Sequence, residues 1–142
     1  MDEEELERQQ AQEQAALRQL AEQLASTYAQ MPYFPAQIFQ AEHHFTVQIT
    51  LETGAFFVDE MAELQLYGNG YCWESIVEHL MAAQAPPLRA KVDFDAEAEV
   101  CILLCPDEKT MYEAAEFIHH RLGGRAAFKA AVATLDPSRL DC

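Results

Sequence analysis

The chain has 142 residues, 50% of them apolar and 10% aromatic, with a formal net charge of −15. That length suits one domain with its own core, and that composition excludes wholesale disorder. The charge repels nucleic acid and anionic lipid and favours basic partners, so neither nucleic-acid binding nor membrane association is expected.

Residues 2 to about 31 read as a helix rich in Glu, Gln and Ala, polar all round in its first half. Leu17, Leu20, Leu24, Tyr28 and Met31 then form an apolar stripe at helical spacing, placed to dock on the domain behind it or on a partner, with docking on the domain favoured. Pro32 and Pro35 end the helix. Phe45, Val47, Ile49 and Leu51 alternate with Thr46, Gln48 and Thr50 as a half-buried strand. Glu52-Thr53-Gly54 reads as a turn into a second strand over 55–58, making a hairpin. Asp59 suits a helix N-cap, with Glu60 and Glu63 in the favourable first turn. Gly68-Asn69-Gly70 stops that short helix. A longer one follows with Trp73, Ile76, Val77, Leu80 and Met81 on one face, closed by Pro86 and Pro87. A second hairpin sets Val92 and Phe94 on one side against Asp93 and Asp95 on the other. Its return strand over 99–105 is almost wholly apolar, which predicts a central strand covered on both faces. Asp107 caps a helix ended by Gly123-Gly124, and a last helix carries Phe128, Ala131, Val132 and Leu135. The order α, ββ, αα, ββ, αα predicts an α+β fold: an antiparallel sheet of two β-hairpins with helices packed on it, preceded by an N-terminal helix. Residues 1–35 are the expected helical extension and 36–142 the expected domain.

The acidity is uneven. No Lys or Arg stands between Arg18 and Arg89, an interval holding Glu22, Glu42, Glu52, Asp59, Glu60, Glu63, Glu74 and Glu78. Beyond Gly123, Arg125, Lys129 and Arg139 nearly balance Asp136 and Asp141. The acidic start, Met1-Asp2-Glu3-Glu4-Glu5, is unlike a basic leader, and no apolar run reaches transmembrane length. Cys72, Cys101, Cys105 and Cys142 lack disulfide-scaffold or zinc spacing. On one strand Cys101 and Cys105 would stand about 13 Å apart, too far to bond. All four are expected as reduced thiols of a cytoplasmic protein.

Catalytic and metal readings are weak. Gly68-Asn69-Gly70 lacks the lysine and spacing of a phosphate loop and reads as a tight turn. Cys72 precedes a helix, a place that activates thiols, but Glu74 works against ionisation and no partner base stands at a recognisable spacing. His43-His44 and His119-His120 are adjacent pairs whose side chains diverge on either strand or helix, so neither is a natural chelate. Asp93, Asp95, Glu97 and Glu99 would share one solvent face at about 6.6 Å intervals. That is either a solvated sheet face or a recognition surface for a basic groove. Trp73 reads as core from its helix face, and as an interface anchor were it exposed. No catalytic residue, metal ligand or cofactor is assigned.

Three pieces, Gly54-Ala55-Phe56-Phe57-Val58-Asp59, Tyr67-Gly68-Asn69-Gly70-Tyr71-Cys72-Trp73-Glu74 and Val92-Asp93-Phe94-Asp95-Ala96-Glu97-Ala98-Glu99, resemble the bacterial immunity protein 51 family, small α+β antidotes encoded beside polymorphic toxins. Gly-Asn-Gly-Tyr-x-Trp is the most specific of them. An acid often stands in that family where this chain has Cys72, and the N-terminal helix lies outside the similar region. The resemblance implies a non-enzymatic protein that binds a cognate toxin, and the acidity of the chain adds the expectation that this toxin has a basic cleft, as a nuclease or nucleotide-modifying enzyme acting in the cytosol would. The expected toxin-binding residues are Asp59, Glu60 and Glu63, then Tyr71, Trp73 and Glu74, then Asp93, Asp95, Glu97 and Glu99. A regulatory or chaperone-like module for a secretion component or basic protein is the alternative, and a small enzyme using Cys72 is a third reading.

Overall fold

The computed structural model describes residues 2–23 and 25–142. Helix α1 (Glu3–Gln23) starts where the Asp2 carboxylate accepts the Glu5 N–H at 2.8 Å. Its three leading glutamates favour that end of the helix dipole. Helix α2 (Ala25–Gln30) follows, and Leu24 of the expected apolar stripe lies outside the described residues. Leu17 and Leu20 remain exposed, whereas Tyr28 is buried and donates its hydroxyl to the Glu52 carbonyl at 2.9 Å. The stripe therefore docks chiefly through its C-terminal end.

Four strands form one antiparallel sheet: β1 (Gln37–Ala41), β2 (His44–Thr50), β3 (Asp93–Phe94) and β4 (Val100–Cys105), in the order β1-β2-β4-β3. The first hairpin differs from the expectation. The alternating strand is β2, but it pairs with β1 before it, Phe39 opposite Thr46, rather than with residues 55–58. Those residues are helical instead: α3 (Leu51–Gly54), a 3-10 turn over Ala55–Phe57 and α4 (Val58–Glu63). The Thr50 side chain accepts the Thr53 N–H at 3.3 Å and so begins a helix where a turn was expected. A four-residue apolar run cannot be assigned to strand or buried helix by periodicity alone. β1 leaves no strand signal because Gln37-Ile38-Phe39-Gln40-Ala41 does not alternate.

Val47 and Ile49 on β2 stand opposite Leu103 and Cys101 on β4, and all four are fully buried. This inner face is covered by α5 (Gly70–Gln84) and α7 (Glu108–Leu122), which supply Trp73, Ile76, Leu80, Met111, Ile118 and Leu122 to the core. Pro86 does not only close α5, since it opens a further short helix, α6 (Pro86–Lys91), at the position where its missing N–H costs nothing. β4 is central, as its composition requires, but only one of its faces is covered: Leu104 is 41% exposed.

Helix α8 (Arg125–Val132) seats Phe128 in an aromatic cluster. Phe128 stacks on Phe57 at 4.7 Å between ring centroids and meets Trp73 at 5.4 Å. Phe57 continues to Phe34 at 5.7 Å, and Phe34 to Tyr28 at 5.0 Å. Rings remote in sequence thus tie the chain's first and last parts to α5.

The reduced-thiol expectation is corrected for two of the four cysteines. Cys72 and Cys142 form a disulfide with Cα atoms 4.4 Å apart, while Cys101 and Cys105 are free. Local spacing rules are blind to this pair because 70 residues separate its members. The C-terminal tail is carried back to α5, where the Asp141 N–H donates to the Ser75 hydroxyl at 3.0 Å. Burial pushes the Cys101 thiol far above its ordinary value and raises Cys105 to about 11, so neither is a ready nucleophile at neutral pH.

Candidate protein-interaction surface

The Gly-Asn-Gly-Tyr-x-Trp stretch is built for support. The Asn69 side chain accepts the Cys72 N–H at 2.9 Å and caps α5. Gly68 sits at φ +79°, a backbone conformation open to glycine. The Gly70 N–H donates to the Ala98 carbonyl at 2.9 Å, and a Cβ at Gly70 would approach the Val100 carbonyl oxygen to 2.7 Å. Trp73 lies against Gly54, where a Cβ would meet the indole nitrogen at 2.6 Å. Two of the resemblance-bearing pieces thereby hold the third: the start of α5 fastens onto the second hairpin. The Leu51 N–H, donating to the Glu99 carbonyl at 3.0 Å, fastens it from the other side.

The expected toxin-binding residues separate into three environments. On α4 every acid meets a cation. Asp59 accepts from Arg18 at 2.7 Å, Glu60 stands 3.5 Å from Arg125, and Glu63 accepts from Lys129 at 2.6 Å. Glu60 is itself buried, and Arg125 also stacks over the Phe56 ring at 4.2 Å. The nearly balanced tail is balanced only by count: two of its cations serve α4 rather than their own neighbours. Arg18, Arg125 and Lys129 are the functional neighbours that sequence reasoning misses, since cations remote in sequence leave no local signal.

The second hairpin is different. Asp93, Asp95, Glu97 and Glu99 are all exposed, and none has a cation within 4.0 Å among the described residues. The ladder is shorter than expected. β3 ends at Phe94, a single bridge joins Glu97 to Val100, and Glu99 lies in the turn rather than on the return strand. Among the aromatic residues, Tyr67 and Tyr71 are exposed beside this turn's anchor. Trp73 is 1% exposed, its ring edge-on to Phe57 and tilted against Phe128, so its expected place at a toxin interface is corrected to one in the core.

Glu74 stands on α5 and its carboxyl meets this hairpin at the Ala96 N–H. Burial raises its carboxyl above the ordinary range, and Glu78, Asp141 and Asp95 push it the same way, against one hydrogen bond from the Ala96 N–H. A carboxyl with a raised folded-state pKa contributes stability at low pH, and that contribution is lost as pH rises through the raised value. Glu74→Gln can keep the Ala96 hydrogen bond without the charge. It should melt above wild type at pH 7, with the gap closing toward about pH 4, where free glutamate also protonates. Thermal melts across that range check it, and an equal gap at both ends would contradict it.

The remaining candidates are placed elsewhere. Cys72 is fully buried and disulfide-bonded, which removes the catalytic-cysteine reading. His119 donates Nδ1–H to the Phe34 carbonyl at 2.7 Å, and His79 Nδ1 stands 2.7 Å from the Ser75 carbonyl, so both are tied to backbone. Among the described residues no three His, Cys, Asp or Glu side chains converge as a metal site, and no helix is long and apolar enough to cross a membrane.

Neither the curated proteins nor the solved structures contain a match to the chain. A family model does match, that of immunity protein 51, over residues 36–136. This span takes in the whole sheet, the capped start of α5 and the acidic hairpin. Proteins of this kind confer immunity to a toxin and are generally not enzymes. The chain belongs to the immunity protein 51 family.

Proposed function

We propose that this protein neutralises a cognate bacterial toxin by binding it through the acidic second hairpin, and that the toxin is a cytosol-acting nuclease or nucleotide-modifying enzyme with a basic cleft. The observation that carries the reading is the contrast between the two acidic groups. Asp59, Glu60 and Glu63 are neutralised within the fold, whereas Asp93, Asp95, Glu97 and Glu99 are exposed without a cation among the described residues. An exposed, uncompensated row of negative charge speeds encounter with an oppositely charged surface and selects against acidic competitors. Tyr71 adds an exposed ring beside that row, and Glu74 adds a charge whose repulsion a cationic partner would relieve. Residues 1–35 are an appended helical segment held to the domain by Arg18 and Tyr28, with the domain over 36–142 carrying the activity.

Reversal of all four hairpin acids to lysine is expected to weaken toxin binding by well over tenfold. Cells co-expressing that variant with the toxin should then lose protection while the protein remains folded. Full protection by the folded variant would show that the hairpin is not the interface.

A further inference from the structure

The open face of the sheet extends the acidic edge inward. Strand register places Phe39, Thr46, Leu104 and Asp93 in one cross-strand row, since Phe39 is opposite Thr46, Thr46 opposite Leu104, and Leu104 opposite Asp93. Residues paired across an antiparallel sheet share a face. This row lies on the face away from α5 and α7, because the alternating neighbours Val47 and Leu103 are the ones buried beneath those helices. Phe39 is 48% exposed, and Leu104 is 41% exposed although it stands on an interior strand. The neighbouring row runs through Gln37, Gln48 and Ile102, and ends where the Asp95 N–H donates to the Ile102 carbonyl at 2.9 Å. The face thus grades from apolar and uncharged at β1 to doubly negative at β3. With strands about 4.8 Å apart, Phe39 and Asp93 stand about 14 Å from each other, within the footprint of one partner.

We propose that the toxin seats on this open sheet face, placing an apolar side chain over Leu104 and Phe39 and a lysine or arginine against Asp93 and Asp95. This deepens the immunity reading and rests on it. Charge complementarity identifies the occupant. A second copy of this chain, also at −15, would bring Asp93 and Asp95 toward further acid, whereas a basic protein meets them with opposite charge. An apolar centre with a charged rim on one side is the usual anatomy of a specific protein interface. The exposed β1 and β4 side chains supply the water-excluding contact that the hairpin acids alone lack.

The test is calorimetric titration of the full chain against the purified, catalytically inactivated product of the adjacent toxin gene. Phe39→Ser and Leu104→Ser remove exposed side chains and leave the inner face intact, so the double variant should melt close to wild type. Its affinity for the toxin is expected to fall at least about 30-fold, the scale of a lost interface anchor. Wild-type binding with the folded double variant within threefold would overturn the sheet-face seat and leave the immunity reading standing. No binding by wild type would overturn both. A circular-dichroism melt of each variant separates lost contact from lost fold, and Leu104→Met, which keeps an apolar contact, should restore most of the affinity if the fall comes from the interface.

Discussion

Cys142→Ser is expected to lower the stability of the folded chain by about 4 kcal/mol, the chain-entropy value for a cross-link whose partners stand 70 residues apart. For a domain of this size that is a fall of about 10–15 °C in Tm. The substitution leaves Cys72 in place within the core, so no cavity is added to the loss of the cross-link. It also loosens the tail, where the Asp141 N–H donates to the Ser75 hydroxyl of α5 and Leu140 packs against the core. Thermal melts of wild type with and without reductant, beside the variant, check this: reduced wild type should match Cys142→Ser. Coincident curves for all three samples would mean that the bond contributes nothing. The same bond bears on where the protein works, because disulfides are uncommon in a reducing cytosol. Thiols trapped by acid and alkylated directly from cells report the compartment, with Cys72 and Cys142 labelled in a reducing one and protected in an oxidising one.

Trp73→Ala should cost about 3–5 kcal/mol, the range for removing a large aromatic side chain from a close-packed core. The indole fills the space between Gly54, Phe57 and Phe128, joining α5 to α3 and the 3-10 turn after it and to α8. Its N–H is buried without a partner among the described residues. Trp73→Phe, which removes that unpaired donor and keeps a ring on Phe57 and Phe128, should therefore cost much less. Neither change should alter toxin affinity per folded molecule by more than about threefold, since the side chain does not reach the surface. Denaturant titration gives the stability and calorimetry the affinity. A large affinity loss in a well-folded Trp73→Phe variant would return Trp73 to the interface.

Trp73 also marks how far the fold is legible in the sequence. The period of Trp73, Ile76, Val77, Leu80 and Met81 is enough to bury them, because a helix face is a local property. The cap at Asp107 and the alternating strand β2 are legible for the same reason, whereas the N-cap expected at Asp59 is corrected: Asp59 lies inside α4, whose N-cap position is Phe57, and its carboxylate is turned to Arg18 instead. The first hairpin is not, because its β1 half carries no alternation and the short apolar run 55–58 suits a buried helix as well as a strand. Of the proposed binding surface, the hairpin acids are visible as a spacing. The neutralisation of α4 is hidden, since it depends on cations brought from α1 and α8. The open face of β4 is hidden too. An apolar strand reads as doubly covered whether the second cover belongs to the same chain or to a partner.

Two neutralised variants compared over a range of salt concentrations test the central claim most directly. One replaces Asp93, Asp95, Glu97 and Glu99 by their amides. The other does the same to Asp59 and Glu63, whose charges are already met by Arg18 and Lys129. The hairpin variant is expected to bind the toxin at least tenfold more weakly at low salt and to lose most of the salt dependence of its association rate. The α4 variant should keep both close to wild type. Equal losses from the two variants, or an unchanged salt dependence in the hairpin variant, would contradict recognition through the second hairpin.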